Sequence, residues 1–122
     1  MQPIMKLIDA LIMVESGGDN NAIGDNGKAK GCLQIHDCVV QDINNNYGCS
    51  YIHDDCFSRG KSVALCRMYL SLWGDEYERI TGEQPSDEVL ARIWNGGPRG
   101  WQKQSTVPYW NKVKFILKGK AK

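Results

Sequence analysis

The chain lacks any strong imbalance of charge, any long hydrophobic run and any internal repeat, and each absence narrows what it can be. Fifteen lysines and arginines against fourteen aspartates and glutamates leave a formal net charge of +1, so no basic field draws it toward nucleic acid. No apolar stretch is long enough to cross a bilayer, which argues against membrane insertion. The first fifteen residues hold Lys6 and Asp9 inside an amphipathic pattern and not the unbroken apolar core of a signal peptide. The expectation is a soluble protein with no export signal in this chain, either matured from a longer form or released by lysis.

Paired C-x-x-C spacing is also missing. The five cysteines, Cys32, Cys38, Cys49, Cys56 and Cys66, cluster in one third of the chain, which suggests some disulfide bonding with at least one thiol left over. Cys32, His36 and Cys38 lie close together, as do Cys49, His53 and Cys56, but neither group has the spacing of a zinc site, so no metal ligand is assigned. What is present is ordinary for a globular protein: 42% hydrophobic and 24% charged residues over 122 positions, enough for one core and one domain, residues 1–122.

Ile4, Leu7, Ile8, Leu11 and Ile12 recur at helical spacing behind Pro3 and predict a helix over about 3–15, stopped by Gly17 and Gly18. Asn26-Gly27 predicts a tight hairpin between Ile23 and Ala29. Leu33, Ile35, Val39, Val40, Ile43 and Tyr47 give a second helical face that begins near Gly31 and ends before Gly48. A longer helix runs from about Lys61 to Ile80, bent near Gly74 and closed by Gly82. Ser86 caps a fourth helix with Asp87 and Glu88 in its first turn, and Ser105 or Thr106 caps a last one. The fold class is mainly α, an α+β arrangement of about five helices with one small β-hairpin after the first.

The apolar stripe of the first helix, continued by one turn, reaches Glu15 where another aliphatic is expected. A carboxyl beside a core loses hydration, and that raises its pKa toward what a general acid needs. A helix-end glutamate is equally an exposed terminal residue or the partner of a lysine. Asp25, on the predicted hairpin, is the nearest second carboxylate; Asp19, Asp37 and Asp42 are rivals, and an Asp before Asn-Gly is also plain turn chemistry. Gln34 in Gly31-Cys32-Leu33-Gln34-Ile35 offers a donor and an acceptor. Asn95, Tyr109 and Trp110 complete the candidate site, the aromatic faces suiting sugar rings or, equally, core packing.

The order of these pieces resembles the invertebrate-type lysozymes, or destabilase family, and more loosely the goose-type lysozymes and soluble lytic transglycosylases. Glu15-Ser16-Gly17 resembles the family's Glu-Ser-Gly, and Asp25-Asn26-Gly27 falls where its second acid precedes a glycine. Gly31-Cys32-Leu33-Gln34-Ile35 resembles its Gly-aromatic-Phe-Gln-Ile segment. Arg92-Ile93-Trp94-Asn95-Gly96-Gly97-Pro98-Arg99-Gly100 resembles its Asn-Gly-Gly-Pro motif, with Trp94 in place of the usual histidine, and Tyr109-Trp110-Asn111-Lys112-Val113 resembles its Tyr-Trp-x-Lys-Val close. The resemblance implies a lysozyme-like fold and a monomeric muramidase that needs no cofactor, antimicrobial through the bacterial peptidoglycan it cuts, with Glu15 as general acid and base and Asp25 as second carboxylate. It implies substrate contacts from Gln34, Asn95, Tyr109 and Trp110, and a location outside the cell or at the bacterial wall. Alternatives are a lytic transglycosylase using Glu15 alone and a non-catalytic wall-binding module. The basic end, Lys112, Lys114, Lys118, Lys120 and Lys122, either favours an anionic cell wall or is a solvated helix end with a frayed tail.

Overall fold

Five α-helices and one two-stranded hairpin follow each other in the order the periodicity predicts; the computed structural model describes residues 3–120, with the side chains of Pro3 and Lys120 left aside. Lys122 of the basic end lies outside the described residues. Helix α1 spans Pro3–Ser16 and buries Leu7, Ile8, Leu11 and Ile12 completely or nearly so. Each such side chain removed from water contributes roughly 1.5–3 kcal/mol. The hairpin pairs β1 (Ile23–Gly24) with β2 (Ala29–Lys30), Ile23 opposite Lys30 and Gly24 opposite Ala29. The connection is four residues long, wider than a two-residue Asn-Gly turn. Asp25, Asn26 and Gly27 all take positive φ, 52°, 57° and 88°, and coil as a short 3-10 turn.

Helix α2 (Asp37–Tyr47) starts later than its apolar pattern suggests. Gly31 to His36 form a turn in place of its first residues: Lys30 and Ile35 exchange two backbone hydrogen bonds of 3.1 and 3.0 Å, and Gly31 and Gln34 sit at positive φ. Tertiary contact overrides the local period here. Gly31 passes so close to the 3-10 turn His53–Phe57 that a Cβ would run into the Cys56 carbonyl, and Ser62 donates its hydroxyl to that same carbonyl at 2.6 Å.

Helix α3 (Arg59–Thr81) is capped by Ser58 and ends at Gly82 in the left-handed conformation. It runs unbroken through Gly74, which is buried against Leu90 and Pro85. Helix α4 (Asp87–Gly96) begins at a Ser86 cap with Asp87 and Glu88 in its first turn, as the sequence predicts. Helix α5 (Val107–Lys120) packs along α1 and α4 and buries Val113. Thr106, expected as a cap, instead turns its hydroxyl inward to the Gly100 and Lys103 carbonyls and accepts from Arg92 Nε at 2.8 Å.

The disulfide expectation is corrected. All five cysteines are free thiols, and Cys32, Cys56 and Cys66 are instead packed in the hydrophobic core. Burial pushes the Cys56 thiol up to about 12 and the Cys66 thiol well above its ordinary value. Among the described residues no helix is long and apolar enough to cross a membrane.

Candidate active site

Glu15 stands in the last turn of α1, three residues beyond Ile12, the last of the helix's buried stripe. Ser16 fixes that turn: its hydroxyl donates to the Cys32 carbonyl at 2.7 Å and accepts from the Gly18 and Asp19 amides at 3.1 Å each. The helix end is thereby tied to the Gly31–His36 turn. Glu15 itself is half-buried and accepts a 2.8 Å hydrogen bond on Oε2 from the Tyr109 hydroxyl of α5, ninety-four residues away. Burial pushes its carboxyl up to about 7, against the opposing pulls of the Tyr109 hydrogen bond and the Lys112 charge. The Tyr109 phenol is raised far above its ordinary value by burial and by the facing carboxylate, so it stays a donor throughout the neutral range.

The Glu15 side chain opens into a cleft of about 300 Å³ lined also by Gln34, Ile35, His36, Cys38, Val39, Tyr69, Trp94, Asn95 and Gly97. Three separate motifs therefore meet on one wall: the end of α1, the turn before α2 and the end of α4. Gln34 sits at φ 52°, and its Nε2 donates back to the Gly31 carbonyl at 3.0 Å while its Oε1 rests against Gly24 of the hairpin. Trp94 and Tyr69 meet edge to face at 5.6 Å, giving the cleft an aromatic side. A larger groove of about 500 Å³ lies between α1, α3 and α4 and includes Arg67, Asp75 and Leu90, but shares no lining residue with the Glu15 cleft.

Asp25 is exposed at the hairpin tip and does not line the cleft itself. Its Oδ2 lies 3.1 Å from Nε2 of His36, which does, so the Asp25 carboxylate is linked to the rim through that imidazole. The rival aspartates are otherwise engaged or placed. Asp19 accepts from the Asn21 amide in a local turn, and Asp42 accepts from the Trp73 indole at 2.9 Å. Asp37 is exposed in the first turn of α2.

Of the expected aromatic contacts, Tyr109 reaches the site through its hydroxyl, whereas Trp110 packs against the core and is not a cleft residue. Tyr69, His36, Cys38 and Val39 were not singled out as site residues. Tyr69 and Val39 fall on the apolar faces of their helices, and His36 and Cys38 stand out only beside Cys32 as a weak metal pattern.

The chain matches no family model. It is 33% identical over 85 residues to a lysozyme of Magallana gigas, a match covering 56% of this chain and 59% of that one. Over 33 residues it is 48% identical to invertebrate-type lysozyme 6 of Caenorhabditis elegans, covering 27% of this chain and 24% of that protein. The chain thus spans less than two thirds of either relative's length. In three dimensions it is similar to a chain in the crystal structure of Aeromonas hydrophila PliI in complex with Meretrix lusoria lysozyme, with TM-score 0.74 and 26% identity over 91% of this chain and 88% of that one. In sequence over part of its length and in fold over most of it, the chain is thus similar to lysozymes, among them an invertebrate-type one.

Proposed function

We propose that the chain is a muramidase, a glycoside hydrolase that cuts the β-1,4 bond between N-acetylmuramic acid and N-acetylglucosamine in bacterial peptidoglycan. One observation carries the reading: Glu15 is half-buried in a cleft shared with Gln34 and Asn95, its carboxyl pushed up to about 7, so much of it is protonated at neutral pH. Tyr109 engages Oε2, leaving Oε1 to carry the proton toward the glycosidic oxygen. As the bond to the anomeric carbon breaks, that proton goes to the leaving sugar, which departs as an alcohol. The Glu15 carboxylate then takes a proton from the attacking water and is restored.

Asp25 serves as the second carboxylate, offsetting positive charge that develops on the sugar ring or attacking it directly, with His36 as its tether. Gln34 and Asn95 orient the amide and hydroxyl groups of the sugar, and Trp94 and Tyr69 offer it apolar surface. The site of action is the bacterial wall. A second reading rests on the exposure of Asp25 off the cleft wall: a lytic transglycosylase in which a hydroxyl of the substrate closes onto the anomeric carbon and only Glu15 is needed.

Mass spectrometry of the products from purified peptidoglycan tests both. Reducing muramyl ends are expected, anhydro-muramyl ends select the transglycosylase, and Glu15→Gln abolishes release of either. Full activity in that variant, with the protein folded, would end the proposal. Binding without any cleavage would leave a wall-binding module.

A further inference from the structure

Charge is unevenly placed along this nearly neutral chain. Residues 107–122 hold five of its fifteen basic residues and none of its fourteen acidic ones, so the remainder carries ten against fourteen. Within α5 the helical period puts Asn111, Lys114, Phe115 and Lys118 on one outer face, with Lys112 at its edge, and all five are exposed. None of Lys112, Lys114 and Lys118 takes part in an ion pair among the described residues. Phe115 is 75% exposed, the largest exposure of any large hydrophobic side chain described. Beside it runs a shallow groove walled by Val14, Asn111, Lys112, Phe115 and Ile116. The groove and the Glu15 cleft share no lining residue, but both border the end of α1, Val14 lining the one and Glu15 the other.

We infer that the Lys114–Phe115–Lys118 face of α5 and its groove form an accessory docking surface for the carboxylate-bearing peptide stems of peptidoglycan, a reading that rests on the muramidase proposal for its choice of polymer. The glycan backbone brings little charge to a cleft, but its peptide stems carry free carboxylates on short aliphatic side chains. Lysines spaced one helical turn apart around an exposed aromatic ring match that mixture of anionic and apolar groups. Stems projecting from a strand bound in the cleft would reach this face across the end of α1, along which α5 packs. The lysines would hold the enzyme to cross-linked wall while contributing nothing to bond cleavage itself.

The test uses Glu15→Gln protein, which does not degrade its target, on teichoic-acid-free sacculi with stems intact or removed by an amidase. Lys114→Gln with Lys118→Gln is expected to weaken binding to intact sacculi roughly fivefold to tenfold, the worth of two exposed ion pairs, and to flatten its dependence on salt. Phe115→Ser should weaken it further. On stripped sacculi the parent and the variants should bind equally. In the Glu15 background, cleavage of stem-free chitin oligosaccharides by the lysine variants should stay unchanged. Unaltered binding to intact sacculi, a lysine effect that survives stem removal, or equally lysine-dependent binding to phosphatidylglycerol vesicles would overturn the inference. If wild-type protein cuts no glycan yet shows lysine-dependent binding to stems, the muramidase reading falls and the docking surface stands.

Discussion

Glu15→Gln is expected to stabilise the fold at alkaline pH while ending catalysis, and the size of the gain measures how far the carboxyl has been taken out of water. Raising the group from 4.5 in the unfolded chain to about 7 in the fold costs the charged form about 3 kcal/mol. Below pH 4.5 the carboxyl is protonated in both states and its contribution to stability is fully present. As pH rises through 7 the folded protein must ionise it in place, and that contribution is lost. Glutamine has no proton to lose, and its amide oxygen can still accept from the Tyr109 hydroxyl. The stability of the variant minus that of the wild type should therefore grow by up to about 3 kcal/mol between pH 4.5 and 8. Other titrating groups cancel in the difference, so urea unfolding of both proteins at four or five pH values suffices. Curves that stay parallel across this range would refute the desolvation of Glu15, and the argument for it as general acid would go with it. Activity should show the same carboxyl as an alkaline limb near pH 7, with about a tenth of the acid form left at pH 8.

Tyr109→Phe removes a hydrogen bond that holds the Glu15 carboxyl down, so the alkaline limb of the pH–rate profile should move upward; a limb that stays put or moves down contradicts the contact. Asp25→Asn should lower kcat roughly a hundredfold or more if its charge acts on the sugar, with KM nearly unchanged. His36→Ala should cost less and should add nothing once Asp25 is Asn, and additive losses in that cycle would separate the two residues. Gly31→Ala combines a positive φ with a clash against the Cys56 carbonyl and should destabilise by roughly 2–4 kcal/mol in thermal or urea unfolding.

The parts of this fold that are legible in the sequence are those specified locally. The buried stripe of α1, the Ser86 cap with its acidic first turn and the glycines at 48 and 82 each announce a helix or its end within a few residues, and the structure has them in place. The stretch from Gly31 to His36 reads as helix because Leu33 and Ile35 lead into Val39 and Val40. Its actual turn is imposed by the Lys30–Ile35 bridge and by the approach to Cys56, neither of which leaves a local mark. In the site, Glu15 and Gln34 and Asn95 were recognisable as motif residues, and the cleft does join them. The working partner of Glu15 was not: that Tyr109 meets it by hydroxyl and not by ring face depends on how α5 lies along α1. The cysteine cluster misleads for a related reason. A free buried thiol is chemically a small hydrophobe, and composition cannot distinguish it from half of a cross-link.

With no disulfide to cross-link it, the cleft is held by a few side chains that satisfy main-chain carbonyls from a distance. Ser16 binds the Cys32 carbonyl and so fixes the end of α1 against the turn bearing Gln34. Ser62 does the same for Cys56 under Gly31. On the opposite wall Arg92 joins Glu88, Thr106 and the Lys103 carbonyl, which locks the segment after Asn95 onto the start of α5 and thereby sets where Tyr109 stands. Losing the Ser16 or the Ser62 hydroxyl would strand a partly or fully buried carbonyl, a cost of about 1–3 kcal/mol, comparable with what the burial of Glu15 withholds from its charged form. The pKa of the Glu15 carboxyl and the rigidity of its surroundings are therefore one physical problem. A cleft loose enough to admit water beside Glu15 would return its proton to solvent before any glycosidic oxygen arrived.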